Sequence, residues 1–444
     1  MNEINKKFIA EPARQIEVVR EADVVVCGGG PSGFIAAIAA ARNGAKTLLL
    51  EHYGFLGGMA TAGLVGPISK FNFGGDRIVS GIPEEFIGRM AHLNGAIIDL
   101  QSGNVPYDPE IYKYIALKMV EEAGVDILLH SRIVGCVPDP SRAGTLSHVL
   151  IENKSGRQAI AAKYFLDCTG TGDLVSRSGL PWEMRNRNDG ELQPMSLYFR
   201  LGGVDTTAFN LLMAQDGVKY ANVELKNLLL EEVAAGRLSN FGGPWALHGS
   251  ALREGQLSVN ATRFRGNAAD GDDISTAEQT LREDVMRIVR VFTEKVPAMR
   301  DAYLIDTATQ VGIRETRGIK GLYTMTLEDI IRSGGFDDTV AYGGHPVDIH
   351  RAADSKQDVN FLQEPYAIPY RSLVPQGAAN LLVAGGCLSA TREAFASIRV
   401  QAQCMALGQA AGTAMALCTR GNISVSELDG KSLRAALKGQ GAIV

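Results

Sequence analysis

The sequence predicts an α/β protein: a Rossmann-like nucleotide-binding sheet carrying an inserted α+β substrate or cap domain. Three observations predict it. Residues 23–51 read as strand, glycine turn, small-residue helix, second strand and terminal acid, the order of a dinucleotide-binding βαβ unit. A second apolar strand, Tyr164–Leu166, again runs into a glycine-containing turn, Asp167–Asp173. After Pro369 a short strand at 380–386 feeds a helix at 400–418 rich in alanine and glycine, so the end of the chain returns to the kind of pattern that opens it.

Composition bounds the reading. A chain of 444 residues, 45% hydrophobic and 21% charged, has material for a large core in two or three domains and excludes disorder over most of its length. Lys and Arg total 44 against 49 Asp and Glu, a net charge of -5, so no overall electrostatic footprint supports nucleic-acid binding. No apolar run reaches the roughly 18 residues of a membrane span, and no apolar stretch follows a basic start. The expectation is a soluble, cytoplasmic protein without membrane insertion. Six scattered cysteines lack CxxC spacing and the seven histidines form no HExxH pair, which argues against a disulfide scaffold, a dithiol relay and a metal site. Cys168, Cys387 and Cys404 read as buried packing residues.

In chain order, Asp23–Cys27 is expected as a buried strand, Gly28–Gly33 as the turn, Phe34–Arg42 as the helix with a stop at Asn43-Gly44, and Thr47–Leu50 as the next strand. Asp108 caps a helix running to Ala123, with Pro109 in its first turn. Val125–Val137 reads as a strand pair or one bent strand, and residues 145–167 as a small meander. In the middle, 192–201 and 256–266 suggest strands, 206–235 helical material and Ser275–Lys295 a long helix ended near Pro297. The acidic run Asp270–Asp273 lacks the ligand spacing of a calcium loop and reads as a solvated turn. Near the end, Ser426 and Asp429 are candidate caps for a short helix at Leu433–Leu437. The resulting boundaries are a nucleotide-binding domain at 1–180, a substrate or cap domain at 181–370, a returning nucleotide-binding segment at 371–420 and a finishing segment at 421–444.

Gly28-Gly29-Gly30-Pro31-Ser32-Gly33 fits GxGxxG. The chemistry needs a tight strand-to-helix turn, bare backbone beside a pyrophosphate and close helix packing, while free N–H groups at the helix start attract phosphate. Glu51, ending the second strand, is placed to accept hydrogen bonds from ribose hydroxyls, and its charge disfavours a 2′-phosphate. NAD and FAD both stay open on this motif. The glycine-rich run Gly54–Gly63 shifts the balance to FAD, because a flavin requires main chain to pass close along its length.

Taken together, GGGPSGFIAAIAAARNGAKTLLLE at 28–51, GFLGGMATAG at 54–63, DCTGTGD at 167–173, VGIRETRGIKGLY at 311–323, HPVDIH at 345–350 and the stretch 367–412 resemble FAD-dependent oxidoreductases of the glutathione-reductase-like flavoprotein superfamily. The resemblance extends over nearly the whole chain. It implies that Gly28, Gly30, Pro31, Ser32, Gly33 and Glu51 hold the adenosine and pyrophosphate half of FAD, and that Leu56, Gly57, Gly58, Met59, Ala60 and Thr61 line the chain nearer the flavin. Val134 would offer backbone bonds to adenine. Gly170 and Gly172 would pack over the cofactor, and Gly385, Ser389, Arg399 and Gln403 would belong to the flavin-binding strand and helix. Gly386-Cys387 stands where the family pattern often has Arg-Cys, so a guanidinium contact is missing there.

No second strand-GxGxxG-helix-acid pattern occurs between 181 and 370, which argues against a second dinucleotide domain. On the substrate side the candidates are Arg314 and Arg317, spaced to orient a carboxylate or another electron-rich oxygen, unless Glu315 neutralises them, and His350 as acid/base, with His345, Asn260 and Tyr370 behind them. The expected function is a dehydrogenase or oxidase that moves a hydride from a small hydroxylated or amine-containing metabolite to FAD and passes electrons to an unknown acceptor. A reductase of an activated double bond, a monooxygenase and a non-turning-over FAD-binding redox protein are the alternatives, and a homo-oligomer stays open.

Overall fold

Four valine-, leucine- and phenylalanine-rich parallel strands form the centre of the molecule, and both of their faces are covered. In this computed structural model, which describes residues 8–186, 191–215, 223–351 and 356–444, the main sheet has seven strands. Its order is Asp126–Leu128, β2 (Thr47–Leu50), β1 (Val18–Cys27), Gly156–Asp167, Leu146–Asn153 and Arg132–Pro138, with Leu381–Val383 also pairing along Gly156–Asp167. Val24, Val25, Val26 and Cys27 are wholly buried, the continuous apolar run expected of a parallel strand between helical layers. The segment 125–137 is a strand pair whose members lie at opposite edges of this sheet, and 146–167 is the expected meander.

Register brings the strand ends level. Cys27 pairs with Leu50 on one side and Asp167 on the other, and Asp167 pairs with Val383. The loops beginning at Gly28, Glu51, Cys168 and Ala384 therefore leave the same edge, where open α/β sheets hold ligands.

The helix α1 (Pro31–Arg42) begins three residues earlier than the sequence suggests: Gly30 is its N-cap and Pro31 its first residue, a position where proline's missing N–H costs no helical bond. The helix Gln401–Gly421 crosses α1 closely, because a Cβ on Gly408 would lie 2.2 Å from the Ser32 carbonyl oxygen and one on Gly412 would lie 2.1 Å from that of Ala36.

A second hydrophobic core belongs to an antiparallel sheet ordered Phe241–Leu247, Leu257–Thr262, Phe199–Gly202, Tyr303–Thr307, backed by the helix Gly271–Lys295. Asp270 caps that helix by accepting from the Asp272 and Asp273 N–H groups, so the acidic run expected as a solvated turn is the start of the helix; carboxylates there also suit the helix dipole. Ile319, Met325, Val340, Val347, Ile349 and Tyr366 pack into the first core. Asp429, as expected, caps the last helix, Gly430–Gly439. No helix among the described residues is long and apolar enough to cross a membrane.

Candidate functional site

The aligned strand ends form a cradle of bare backbone. Gly28 has φ +102°, and a Cβ there would lie 2.6 Å from the Cys168 carbonyl oxygen. A Cβ on Gly33 would strike the Gly28 carbonyl at 1.8 Å, whereas one on Gly30 would meet nothing nearer than the Gly58 Cα at 3.9 Å. The two glycine runs are joined by the Gly57 N–H donating to the Gly29 carbonyl at 2.9 Å. Glu51 is buried beneath them, accepting from the Gly29 N–H at 2.7 Å and the Tyr53 N–H at 2.9 Å. Leu56 is buried, its carbonyl accepts from the Thr61 hydroxyl at 2.8 Å, the Ala60 carbonyl accepts from Tyr107, and that of Met59 from the Val65 N–H. These bonds fix the second run. Val134 falls where the register shifts between Ile133 and Gly135, out of step with the neighbouring strand.

From the other side, the returning segment closes on α1. The Ser32 hydroxyl donates to the Ala384 carbonyl at 3.3 Å, and a Cβ on Gly385 would lie 2.6 Å from the Ser32 Oγ. Gly170 and Gly172 both have positive φ, and Gly386 leaves room for the Gly170 carbonyl, which would be 2.6 Å from any Cβ added there. An arginine at 386 could not keep this approach. Arg185, from outside the motif, donates to the Gly386 carbonyl at 2.7 Å with its guanidinium 3.8 Å from the centre of the Phe395 ring. Ser389 is taken up by the Gly321 N–H and Thr324.

Beside the N-terminus of the helix Gln401–Gly421 lies a polar cluster. Arg399 donates to the Asp348 carbonyl at 3.1 Å and stands 3.7 Å from its carboxylate. Asp348 and His350 lie two apart on the strand Val347–His350 and so on one face; His350 Nε2 is 3.1 Å from the Asp348 carboxylate, while Arg263 approaches His350 Nδ1 at 3.1 Å. Arg263 also donates to Ser196 Oγ at 2.7 Å and Asn260 Oδ1 at 3.0 Å, and Arg314 donates to the same Ser196 Oγ at 2.9 Å. Asn260 donates to the Tyr198 hydroxyl at 2.8 Å. Arg263 fits because Gly242, over which its guanidinium lies, has no side chain.

The cradle passes three tests for a dinucleotide flavin. Side chains are excluded where backbones meet, the N-cap of α1 makes no side-chain bond that would occupy its free N–H groups, and Gln403 has both amide atoms buried without a partner beside the second helix N-terminus. The family model for FAD dependent oxidoreductases matches residues 23–437. The chain belongs to that family. FAD is accordingly its cofactor, and the strand-end cradle fits such a group. A dihydrolipoyl dehydrogenase from Caenorhabditis elegans is 45% identical over 53 residues, 12% of this chain and 11% of that protein. A thiamine thiazole synthase from Methanococcus vannielii is 32% identical over 163 residues, 34% of this chain and 56% of the other. The chain thus matches less than two thirds of the length of either relative. A geranylgeranyl bacteriochlorophyll reductase-like protein from Thermoplasma acidophilum is similar in structure at 15% identity and a TM-score of 0.48, covering 95% of this chain and 84% of that one.

Within this family member the substrate-side candidates divide. Arg314 and His350 share the polar cluster, and Asn260 and His345 belong with them. Arg317 does not: it donates to the Thr171 carbonyl at 3.0 Å and to Asp173 at 3.1 Å, so it braces the second glycine turn. Glu315 contacts neither of them: it is buried against Arg392 at 2.9 Å and Gln193, and only its field reaches Arg314. Tyr370 donates to the Val425 carbonyl in the finishing segment. Arg263 and Asp348 are the residues sequence reasoning missed. Asp348 stood inside HPVDIH, and its two-residue spacing from His350 was the available signal; nothing local marks Arg263, which becomes significant only when its sheet is folded.

Burial sets the electrostatics of the cluster. It depresses the His350 pKa well below the ordinary histidine value, with Arg314 adding to the effect and Asp348 opposing it. Burial likewise lowers Arg314 to about 10 and Arg263 well below its usual value. Burial would raise Asp348, but His350, Arg399 and His345 outweigh it and hold the carboxylate ionised. The cysteines are free, and burial pushes Cys404 and Cys418 up to about 12, which leaves them as protonated packing groups at neutral pH. Among the described residues no cluster of three or more His, Cys, Asp or Glu is placed to hold a metal ion.

Proposed function

We propose that the protein is a dehydrogenase or oxidase that removes a hydride from a small hydroxylated or amine-containing metabolite, with His350 as the base. The carrying observation is the Asp348–His350–Arg263 chain beside the helix that begins after Arg399. Arginine has no acceptor atom, so the bond from Arg263 requires the lone pair to be on Nδ1 and the proton on Nε2, facing Asp348. Asp348 thereby fixes both the tautomer and the ring plane. Gly28, Gly30, Gly33 and Glu51 would hold the adenosine and pyrophosphate half of FAD, and the residues 56–61 and the N-terminus of Gln401–Gly421 its ring end. Bound FAD supplies the acceptor for the hydride that leaves the substrate carbon. As that C–H bond breaks with its electron pair, the O–H or N–H proton passes to His350 Nδ1 and a C=O or C=N bond forms. The electrons would then pass from bound FAD to an acceptor.

The test is anaerobic mixing of FAD-loaded protein with a panel of hydroxy and amino metabolites. One class should bleach the flavin with stoichiometric oxidised product. His350→Gln should slow bleaching by about a hundredfold or more while keeping FAD. Reoxidation of the reduced protein by unsaturated compounds, with no bleaching by the panel, would instead establish a reductase.

A further inference from the structure

We propose that the substrate carries a carboxylate and that Arg263 and Arg314 hold it, so that binding itself frees the base; this rests on the role given to His350 above. Two guanidinium groups converge on one neutral oxygen, Ser196 Oγ, at 2.7 and 2.9 Å. Among the described residues neither has a carboxylate within 4.0 Å: the cluster's one nearby acid, Asp348, is occupied by His350, Gln357 and Arg399, and Glu315 by Arg392. Holding a buried and a half-buried guanidinium with no carboxylate in contact is costly, and the natural compensation is a ligand anion in bidentate contact. Arg263 is 3% exposed, while Arg314, Asp348 and Arg399 are partly exposed, so a ligand would meet Arg314 first.

The second part follows from the same atoms. Arg263 Nη2 covers His350 Nδ1, the only nitrogen able to take a proton. A carboxylate is a far better acceptor for a guanidinium than imidazole nitrogen. Drawing Arg263 onto the substrate would uncover Nδ1 for the neighbouring O–H or N–H. A small 2-hydroxy or 2-amino acid presents both groups on adjacent carbons, which defines the class.

The experiment uses FAD-loaded protein and two readouts, thermal shift and perturbation of the flavin absorbance. Acetate and malonate serve as carboxylates without a hydroxyl or amine; lactate, malate and alanine are compared with lactamide, propane-1,2-diol and ethylamine. Carboxylates should bind and their counterparts without a carboxylate should not. Arg263→Gln or Arg314→Gln should weaken malonate binding by about ten- to a hundredfold, as expected for one charged hydrogen-bonding partner lost. Arg314→Lys, keeping charge, should recover part of it, and Arg282→Gln on the exposed helix face should change nothing. If Arg263→Gln does not fold, the partly exposed Arg314 pair of variants decides. Equal binding of malonate by the wild type and Arg314→Gln would overturn the proposal, as would bleaching by propane-1,2-diol or ethylamine without any carboxylate binding, a result that leaves the hydride reading intact. Arginine-dependent malonate binding in a protein that no panel member bleaches would uphold the anion site and sink the reading of His350 as base.

Discussion

His350 and His345 are both held neutral by burial, and that fixes the sign of their contribution to stability. For each the folded pKa lies below the unfolded one, so as pH falls through the unfolded value of about 6.5 the unfolded chain takes up protons that the folded chain refuses. Stability contributed by keeping them neutral is complete above that pH and is lost progressively below it. Asp348, whose folded pKa is depressed by His350, Arg399 and His345, loses its contribution only at lower pH, starting near its unfolded value of about 3.9. Denaturant midpoints should therefore begin to fall below about pH 6.5, and His350→Gln should flatten the slope between about pH 6.5 and 5. A variant whose midpoint tracks the wild type across that interval would show that His350 is not held neutral. At this scale legibility in the sequence followed what is local: HPVDIH marked His350 as a motif, while the acid two residues before it on the same strand went unread. Arg263 was illegible because, apart from the nearby Asn260 and Thr262, its partners Ser196 and His350 come from distant stretches.

The unit β1, α1, β2 was readable because each part obeys its own period: a strand whose apolar end, Val24–Cys27, is fully buried, a turn of glycines and a helix of small residues. Its internal boundary was not, since Pro31 and Ser32 belong equally well to a turn and to a first helical turn, and the N-cap decides it through Gly30. The strand Phe241–Leu247 escaped notice because Gly242, Gly243 and Pro244 interrupt it, residues that in an isolated sequence signal a loop. Its bare Gly242 is nonetheless what admits the Arg263 guanidinium. The glycines of the first turn differ in kind, and this can be measured. Gly33→Ala puts a methyl 1.8 Å from the Gly28 carbonyl and should cost about 3 kcal/mol or more of stability, at the upper end of overpacking. Gly30→Ala meets nothing nearer than 3.9 Å, so it should fold within about 0.5 kcal/mol of wild type yet bind FAD at least about tenfold more weakly, because the methyl occupies space the pyrophosphate needs. Titration of FAD into each apo variant, alongside urea melts, separates the two effects. Equal FAD affinity in Gly30→Ala and wild type would remove Gly30 from the cradle.

At the scale of the molecule, the two cores are tied together by the segment that follows the second glycine run. Leu64 and Val65 pack with the second core, the Leu64 carbonyl accepts from Ser250 at 2.9 Å, the Val65 carbonyl accepts from Tyr107 and Gln401, and Gly66 lies against the backbone of Gly249. The same few residues thus touch the helix that begins at Gln401, the end of the glycine run at Gly63 and the antiparallel sheet. Order imposed on the cradle by FAD should consequently reach the sheet that carries Arg263. Binding to the folded state alone stabilises by about 2.7 kcal/mol at a hundredfold excess over Kd, and hydrogen exchange reports where that stabilisation is felt. Slowed exchange is expected on FAD addition in β1 and Gly156–Asp167, and also in Leu257–Thr262, whose end positions Arg263. Gly66→Val, whose Cβ would lie 2.5 Å from the Gly249 carbonyl carbon, should leave the protection of β1 responsive to FAD and abolish the response of Leu257–Thr262. Protection confined to the main sheet in the wild-type protein would mean that the two cores respond to the cofactor independently, and that the substrate arginines are positioned without help from FAD.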